Sequence, residues 1–251
     1  MVCEHRAKCK SRATDGIFIA NVMSLWQLHR LAFMAKTTLT ISSKNYSSWS
    51  LRGWLMVKLA GIPFSEVPVA TDNVDARAEL LLLSPSILVP CLNHGNAKVW
   101  DTLAIGEYLN EIAPKAGLLP TNAVHRAHCR SICGEMHSGF SALRASLPMN
   151  IKAHFNNFKV WSKAQLDIDR VFFIWRDCLG IYKGPYLFGK KPTLADAMFA
   201  PVVMRFKTYG IALDPVCQRY CDQILSMPEI KEWMAAAIAE PDDIEELEVE
   251  F

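Results

Sequence analysis

Two patterns of hydrophobic and polar positions divide this chain. Between residues 37 and 112, short β-branched or alternating runs take turns with helical stripes, whereas beyond residue 124 only helical spacing recurs. The first run, Thr37 to Ser42, is β-branched and ends in polar turn residues. The stripe from Leu51 to Leu59 follows it and is closed by Gly61. The chain therefore begins its organised part with a strand, a polar loop and a helix.

The rest of the first part continues this alternation. Phe64 to Ala70 predicts a second strand, and residues 71–83 predict a second helix. Two antiparallel strands are predicted on either side of His94-Gly95-Asn96, and a helix over residues 103–112 completes the series. The resulting order, βαβαββα, is that of an α/β thioredoxin-like domain, which we place at residues 37–115.

The second part has helical spacing throughout. Pro114 to Thr121 contains two prolines and a glycine and predicts a linker. Helices are predicted over residues 124–147, 160–179, 193–209, 214–225 and 228–239. We therefore expect an all-α domain over residues 122–240. The acidic residues from Glu240 onward predict a solvated tail, assigned to residues 241–251.

The first 36 residues follow neither pattern. Gly16 to Ala35 is the most apolar window of this region, but polar residues from Asn21 to Arg30 interrupt it, which argues against a membrane span. Basic residues before Gly16 to Ala20 leave a secretory signal as the alternative. We expect residues 1–36 to be a poorly ordered N-terminal extension.

Composition narrows the class of protein. The chain has 251 residues, of which 51% are apolar, so it can bury a substantial core as a soluble globular protein. Its formal net charge is +2 and its Lys and Arg residues are scattered, which argues against a nucleic-acid partner. The 8 cysteines fall mostly within helix-like apolar stretches. That placement favours reduced, buried thiols and a cytoplasmic location.

The candidate chemistry lies in Tyr46-Ser47-Ser48-Trp49-Ser50-Leu51-Arg52, at the start of the first predicted helix. A helix N-terminus favours an anion. A serine hydroxyl does not ionise near neutral pH, so its role would be to donate a hydrogen bond to a thiolate. The alternative is that these serines only cap the helix.

Four motifs, taken together in this order, resemble the cytosolic glutathione transferase superfamily over about residues 37 to 239, and most of all its serine-type, zeta-like bacterial branch. Ser47 to Arg52 resembles the family signature at the start of the first helix, and Val89-Pro90 resembles its cis-proline site. Asp101 to Ile105 resembles the motif that opens the third helix, and Pro192 to Asp196 resembles the capping motif of the helical domain.

The resemblance implies glutathione as a co-substrate and assigns roles to individual residues. Ser47 would stabilise the glutathione thiolate, with Ser48 as the competing candidate. Val89, before the cis-Pro90, would pair with the peptide backbone of glutathione. Thr102 would bind the γ-glutamyl carboxylate and Asp101 the ammonium group.

Two departures from the family pattern stand out. Ile87 and Leu88 occupy the place where the family often has a Lys or Gln near the glycine carboxylate of glutathione, and Arg77 is a possible substitute. Trp49 stands where zeta enzymes that isomerise maleylacetoacetate have Cys. A bulky indole at that position argues against simply importing the isomerase activity.

The segment from His125 to Asn150 carries two further groups of candidates. His125, Cys129, Cys133 and His137 are spaced by four residues and could suggest zinc. Four ligands along one helix span about 18 Å, so they cannot converge on one ion, and no metal is expected. Trp49, Met136, Phe140 and Arg205 are candidates for lining the electrophile pocket, since the family's fourth and sixth helices border it.

The function that the resemblance implies is glutathione transfer to a small hydrophobic electrophile, in detoxification and as a homodimer, with no nucleic acid or membrane as partner. Two alternatives stay open. One is a glutathione-dependent isomerase of the maleylacetoacetate type, and the other is a non-catalytic binding protein that keeps the fold. Redox chemistry of the glutaredoxin kind is disfavoured because no Cys occupies Ser47 to Ser50.

Overall fold

The first part of the chain folds into a four-stranded mixed sheet with helices packed against it. A computed structural model describes residues 37–69, 89–155 and 158–241. The strands are β1 (Thr37–Ile41), β2 (Ser65–Pro68), β3 (Cys91–His94) and β4 (Ala97–Trp100), in the order β2-β1-β3-β4. β1 and β2 are parallel, and the other two pairs are antiparallel. Helices α1 (Ser48–Ala60) and α2 (Thr102–Ile112) are the described helices of this thioredoxin-like domain, and the predicted fold class is confirmed.

The burial of each strand follows its place in the sheet. Leu39 and Ile41 of the central strand β1 are buried, whereas β2 at the edge is exposed along its whole length. An edge strand tolerates Pro68, which cannot donate to a neighbour. The predicted helix over residues 71–83 lies outside the described residues, as do Ile87, Leu88 and Arg77.

The second part is helical, as predicted, with one element divided. Its helices are α3 (Ala123–Ser138), α4 (Ser141–Ser146), α5 (Ser162–Tyr182), α6 (Leu194–Thr208), α7 (Pro215–Ser226) and α8 (Pro228–Ala239). The single helix predicted over residues 124–147 is interrupted because Phe140 adopts a φ of 61°. At Gly139 a Cβ atom would lie 2.8 Å from the Glu135 carbonyl oxygen. The apolar spacing continues across this break, so the sequence pattern alone predicts one uninterrupted helix.

The two parts share a packed boundary in which α6 is central. The Arg52 Nε donates to the carbonyl of Met198 at 2.8 Å, which joins α1 to α6. Gly53 lies so close to Pro90 that a Cβ atom would be 2.5 Å from the proline Cγ. Glycine is therefore required there for packing, although it weakens a helix. This boundary fixes the start of α1 relative to the helical domain.

The sequence also predicts reduced cysteines, no membrane span and a solvated acidic tail. Six cysteines fall in the described regions, and all are buried and none of them forms a disulfide. Among the helices of residues 37–69, 89–155 and 158–241, none is long and apolar enough to cross a membrane. The N-terminal extension and residues 242–251 lie outside the described regions. The expectation that Glu240 is solvated is wrong, because its carboxylate accepts hydrogen bonds from residues 43–45.

Candidate functional site

The first turn of α1 holds a short chain of hydroxyl groups. Ser47 is the N-cap, and its Oγ accepts the N–H of Ser50 at 3.2 Å. The hydroxyl oxygens of Ser47 and Ser50 lie 2.8 Å apart, and the N–H of Ser42 donates to the Ser50 Oγ at 3.1 Å. Either hydroxyl of the pair can donate to the other. Ser47 is half-buried, whereas Ser48, the first residue of α1, is buried.

Trp49 lies between two guanidinium groups. The Arg52 carbon Cζ is 4.5 Å from the centre of the indole ring, and that of Arg144, on α4, is 4.7 Å from it. The ring of His137 meets the indole edge-on with 5.1 Å between centroids. These contacts bring α1, α3 and α4 together around the indole, and cation–π attraction stabilises both arginines against it.

The arginines beside Trp49 belong to a group of three positive charges, of which Arg52 and Arg205 of α6 are buried and Arg144 is half-buried. Burial, with the nearby charges of Arg144 and Arg205, lowers the pKa of Arg52 well below its usual value. Burial and the charge of Arg144 lower the pKa of Arg205 to about 10. Burial also lowers the pKa of Arg144, which the charge of Asp167 partly offsets.

Each of these arginines keeps nitrogen atoms without a hydrogen-bond partner among the described residues. Both terminal nitrogens of Arg52, Nε of Arg144 and Nη1 of Arg205 are buried in this condition. One nitrogen of each of two of these groups bonds to a backbone oxygen: Arg205 Nε donates to Leu147 at 2.7 Å, and Nη2 of Arg144 donates to Met136. Buried guanidinium groups are costly unless an anion or acceptor compensates them. An anion next to these nitrogens would compensate their charge.

The start of α2 presents a second set of polar atoms. Asp101 has a φ of 73°, and its Oδ1 accepts the N–H groups of Leu103 and Ala104 at 2.8 and 3.3 Å. Its Oδ2 lies 2.5 Å from Nε2 of His137. Thr102 is 2% exposed, and its Oγ1 has no partner within the described chain. An unpartnered hydroxyl at a helix N-terminus suits a carboxylate.

The remaining predicted site residues have diverse surroundings. The Val89-Pro90 peptide bond is cis, as the resemblance implies. Met136 and Phe140 are 1% and 7% exposed and belong to the hydrophobic core. The ring of His125 packs on Tyr182 with 4.8 Å between centroids, while His137 faces Asp101. Within the described residues, no three His, Cys, Asp or Glu side chains converge as a metal site would require.

Four contributors to the site were not singled out from the sequence. Ser50 and Arg52 stand inside the quoted motif, so the motif itself carried the signal. His137 was considered only as a metal ligand, and Arg144 had no local signal. Arg144 contacts Trp49, and His137 contacts both Trp49 and Asp101, residues that lie in another part of the chain.

Comparison with known families and proteins adds a consistent set of similarities. Residues 46–112 match the model of the glutathione S-transferase N-terminal domain, and residues 130–236 match that of the C-terminal domain. Maleylacetoacetate isomerase of Rattus norvegicus is 29% identical over 171 residues, covering 67% of this chain and 77% of the relative. Glutathione S-transferase 1 of Dianthus caryophyllus is 31% identical over 174 residues, covering 68% and 78%.

Solved structures extend the similarity to the fold. A maleylpyruvate isomerase, described as a bacterial zeta-class glutathione S-transferase, superposes with a TM-score of 0.63 at 22% identity, covering 82% of this chain and 100% of its own. A Burkholderia glutathione transferase homologue with bound glutathione gives a TM-score of 0.61 at 21% identity, covering 80% and 97%.

Proposed function

Since the chain belongs to the glutathione S-transferase family, we propose that it is a glutathione-dependent enzyme of the zeta-like branch that acts on an unsaturated substrate carrying a carboxylate. The favoured reaction is cis–trans isomerisation of the maleylacetoacetate type. The observation that carries this proposal is the group of three arginines with buried, unpartnered nitrogens beside the serine motif.

Ser47 is proposed as the thiolate donor. If the Ser50 hydroxyl donates to Ser47, the Ser47 proton is available to the glutathione sulfur, and the chain of bonds strengthens that donation. An ordinary thiol has a pKa of about 8.5, and lowering it by about two units requires about 2.7 kcal/mol in favour of the anion. A charge-assisted hydrogen bond and the N-terminus of α1 can supply that together. Ser47 is favoured over Ser48 because Ser48 is only 7% exposed.

Glutathione would be held at the start of α2 and at Val89. The unpartnered Thr102 hydroxyl and the N-terminus of α2 favour the γ-glutamyl carboxylate. Asp101 would bind the ammonium group of the γ-glutamyl residue. Since the Asp101 carboxylate already contacts His137, it would then contact both groups. The backbone of Val89 would pair with the peptide backbone of glutathione, as a strand adds to a sheet edge.

The arginines define the proposed substrate. Guanidinium groups bind carboxylates through paired, charge-assisted hydrogen bonds, and such bonds are strongest in a buried site. The free nitrogens of Arg52, Arg144 and Arg205 offer these donors close to the first turn of α1. A hydrophobic, uncharged electrophile would leave them uncompensated. The preference for such an electrophile, expected from the resemblance alone, is therefore replaced by a preference for an anionic one.

The proposed reaction conserves glutathione. The thiolate adds to one carbon of the cis double bond, forming a C–S bond, while the π electron pair moves onto the conjugated carbonyl oxygen. Rotation follows about the former double bond, which is now single. The electron pair then returns, the C–S bond breaks, and the trans product leaves with the thiolate regenerated. The arginines would hold the carboxylate throughout and stabilise the negative charge that develops beside it.

Kinetics with two substrates test this proposal. We expect the wild type, with glutathione, to isomerise maleylacetoacetate without net consumption of glutathione. Arg144→Met should lower kcat/KM for this substrate by about 10- to 100-fold, the value of one hydrogen bond to a charged group. The same variant should change conjugation of an uncharged aryl halide by less than about threefold, because that substrate has no carboxylate to lose.

Arg130→Met is the matched control. Arg130 is exposed on α3 and pairs with Glu107 of α2, away from the three arginines. Its kinetics should match those of the wild type with both substrates. If the wild type conjugates the aryl halide efficiently but does not isomerise maleylacetoacetate, the protein is a glutathione transferase instead. The 31% identity to a glutathione S-transferase of Dianthus caryophyllus also favours that alternative. Failure to bind glutathione at millimolar concentration would leave the binding-protein alternative.

A further inference from the structure

The carboxylate of Glu240, at the end of α8, lies against the loop that leads to Ser47. Its Oε1 accepts the N–H of Lys44 at 2.6 Å. Its Oε2 accepts the hydroxyl of Ser43 at 2.7 Å and the N–H of Asn45 at 3.1 Å. One carboxylate thus satisfies three donors of a loop that is nearly 200 residues away in sequence, and bonds from neutral donors to a charged acceptor are strong.

The position of Glu240 is itself fixed by the packing of α8. Trp233 is fully buried, meets Trp54 of α1 edge-on at 5.2 Å, and donates from Nε1 to the carbonyl of Lys44 at 2.9 Å. The backbone carbonyl of Glu240 accepts the Lys152 ammonium at 2.8 Å. The carboxylate therefore approaches the loop from a rigid base rather than from a free chain end.

The loop transmits this contact to Ser47. The hydroxyl of Ser43, which donates to Glu240, accepts the N–H groups of Asn45 and Tyr46 at 3.1 and 3.3 Å. The Ser43 carbonyl then accepts the N–H of Ser47 at 3.0 Å. Two hydrogen bonds, both made by Ser43, therefore connect the Glu240 carboxylate to the backbone N–H of Ser47.

We propose that Glu240 is a positioning residue that sets the placement of the Ser47 hydroxyl towards the glutathione sulfur. This inference rests on the proposed function of Ser47. Without the carboxylate, the N–H of Lys44 and the hydroxyl of Ser43 lose their acceptor, and the N–H of Asn45 keeps only the Ser43 hydroxyl, so the loop can move away from its present path. A displacement of 1 Å at a reacting group can cost about 100-fold in rate. We expect about tenfold here, because the Ser50 hydrogen bonds remain.

The test compares Glu240→Ala and Glu240→Gln with the wild type in two measurements. The ultraviolet absorbance of the thiolate, titrated against pH, gives the pH at which bound glutathione is half ionised. Activity gives kcat/KM. Glu240→Ala should raise the half-ionisation pH towards that of free thiol and lower kcat/KM about tenfold. Glu240→Gln, which retains one carbonyl acceptor, should lie in between.

Glu232→Ala is the control, since Glu232 is on the same helix but pairs with Lys58 at the surface, 2.7 Å away. It should behave as the wild type in both measurements. A structural role alone would lower the thermal unfolding temperature of Glu240→Ala and leave the titration unchanged while the protein is folded. That result would overturn the proposal. If Glu240→Ala fails to fold, Glu240→Gln decides in the same way.

A double variant separates this inference from the proposed function. In a Ser47→Ala background, Glu240→Ala should cause no further rise in the half-ionisation pH, because the group that Glu240 positions is gone. If both substitutions raise it additively, Glu240 acts by another route and the proposal is wrong. If Ser47→Ala alone changes nothing, the proposed role of Ser47 fails before Glu240 is considered.

Discussion

In the proposed active arrangement the Ser50 hydroxyl donates to Ser47, the reverse of the bond in the structure, in which the Ser47 hydroxyl donates to the Ser50 Oγ. The Ser50 Oγ accepts the N–H of Ser42 at 3.1 Å, so its own proton can point to Ser47, 2.8 Å away. The Ser47 proton is then left for an acceptor outside the protein. The proposed activity thus depends on the buried Ser50, which orients Ser47 without itself contacting glutathione. It also depends on the unpartnered Thr102 hydroxyl at the start of α2.

Thr102→Val should weaken glutathione binding and leave the chemical step nearly intact. Valine has the same shape but cannot donate to the γ-glutamyl carboxylate, and a hydrogen bond to a charged group contributes about 1.5–3 kcal/mol. We expect KM for glutathione to rise about 10- to 100-fold, with kcat changed less than about threefold. Steady-state kinetics with varied glutathione measure this. Thr102→Ser keeps the hydroxyl and should restore binding, and equal KM values for the valine and serine variants would contradict the assignment.

The site residues that could be predicted from the sequence are those with a local sequence pattern, such as a helix cap or a motif. Ser47, Asp101 and Thr102 stand at helix starts, where cap preference and motif coincide. Arg144 and Glu240 have no such signal, because each acts on a residue in another part of the chain. Contacts of that kind depend on how the elements pack, which the order of residues does not reveal.

At the scale of elements, α7 depends on a single residue at its start. The Asp214 Oδ1 accepts the N–H groups of Val216 and Cys217 at 2.8 and 3.1 Å, and Oδ2 accepts Nη2 of Arg176 on α5 at 2.6 Å. Partial burial opposes ionisation, but hydrogen bonds from the Cys217 thiol, from Arg176 and from the two N–H groups outweigh it and hold the pKa of Asp214 below its usual value. Asp214 therefore caps α7 and ties it to α5.

Asp214→Ala should lower the free energy of unfolding by about 1–2 kcal/mol at pH 7, the usual value of an N-cap. Because the folded-state pKa is depressed, the ionised carboxylate stabilises the fold above about pH 4 and loses this effect as the pH falls through the folded pKa. The difference between wild type and variant, measured by urea unfolding, should therefore shrink between pH 7 and pH 3. Asp222→Ala, on the exposed face of the same helix, is the control. A difference independent of pH would contradict the role of the charge.

The alternation of strand and helix, and the helical domain after it, were predictable because apolar periodicity survives in the sequence. The break between α3 and α4 was not, since Phe140 with its positive φ continues the apolar stripe. The second strand, predicted over Phe64 to Ala70, forms as β2 over Ser65–Pro68 and pairs with β1.

For the whole molecule, the boundary between the two domains concentrates positive charge. Arg52 and Arg205 are buried, and with Arg144 they keep nitrogens that no described residue accepts from. Uncompensated buried charge destabilises a fold, so the cluster costs stability unless an anion binds at the proposed site. The same boundary carries Trp49 and the contact of Asp101 with His137.

A dicarboxylate should accordingly stabilise the protein in the presence of glutathione. Maleate at ten times its dissociation constant should contribute about 1.4 kcal/mol and raise the unfolding temperature by about 3–6 °C. The uncharged diamide of the same shape should have no effect at equal concentration, because it does not neutralise the arginines. Thermal unfolding of the wild type and of Arg144→Met measures this, and an equal shift with the diamide would show that charge plays no part.

The most direct test of the central claim is the pH titration of thiolate absorbance for glutathione bound to the wild type, to Ser47→Ala and to Ser48→Ala. The wild type should reach half ionisation near pH 6.5, about two units below a free thiol. Ser47→Ala should return it towards about pH 8.5, and Ser48→Ala should stay close to the wild type. A Ser47→Ala titration that coincides with that of the wild type would contradict the claim that this hydroxyl stabilises the thiolate.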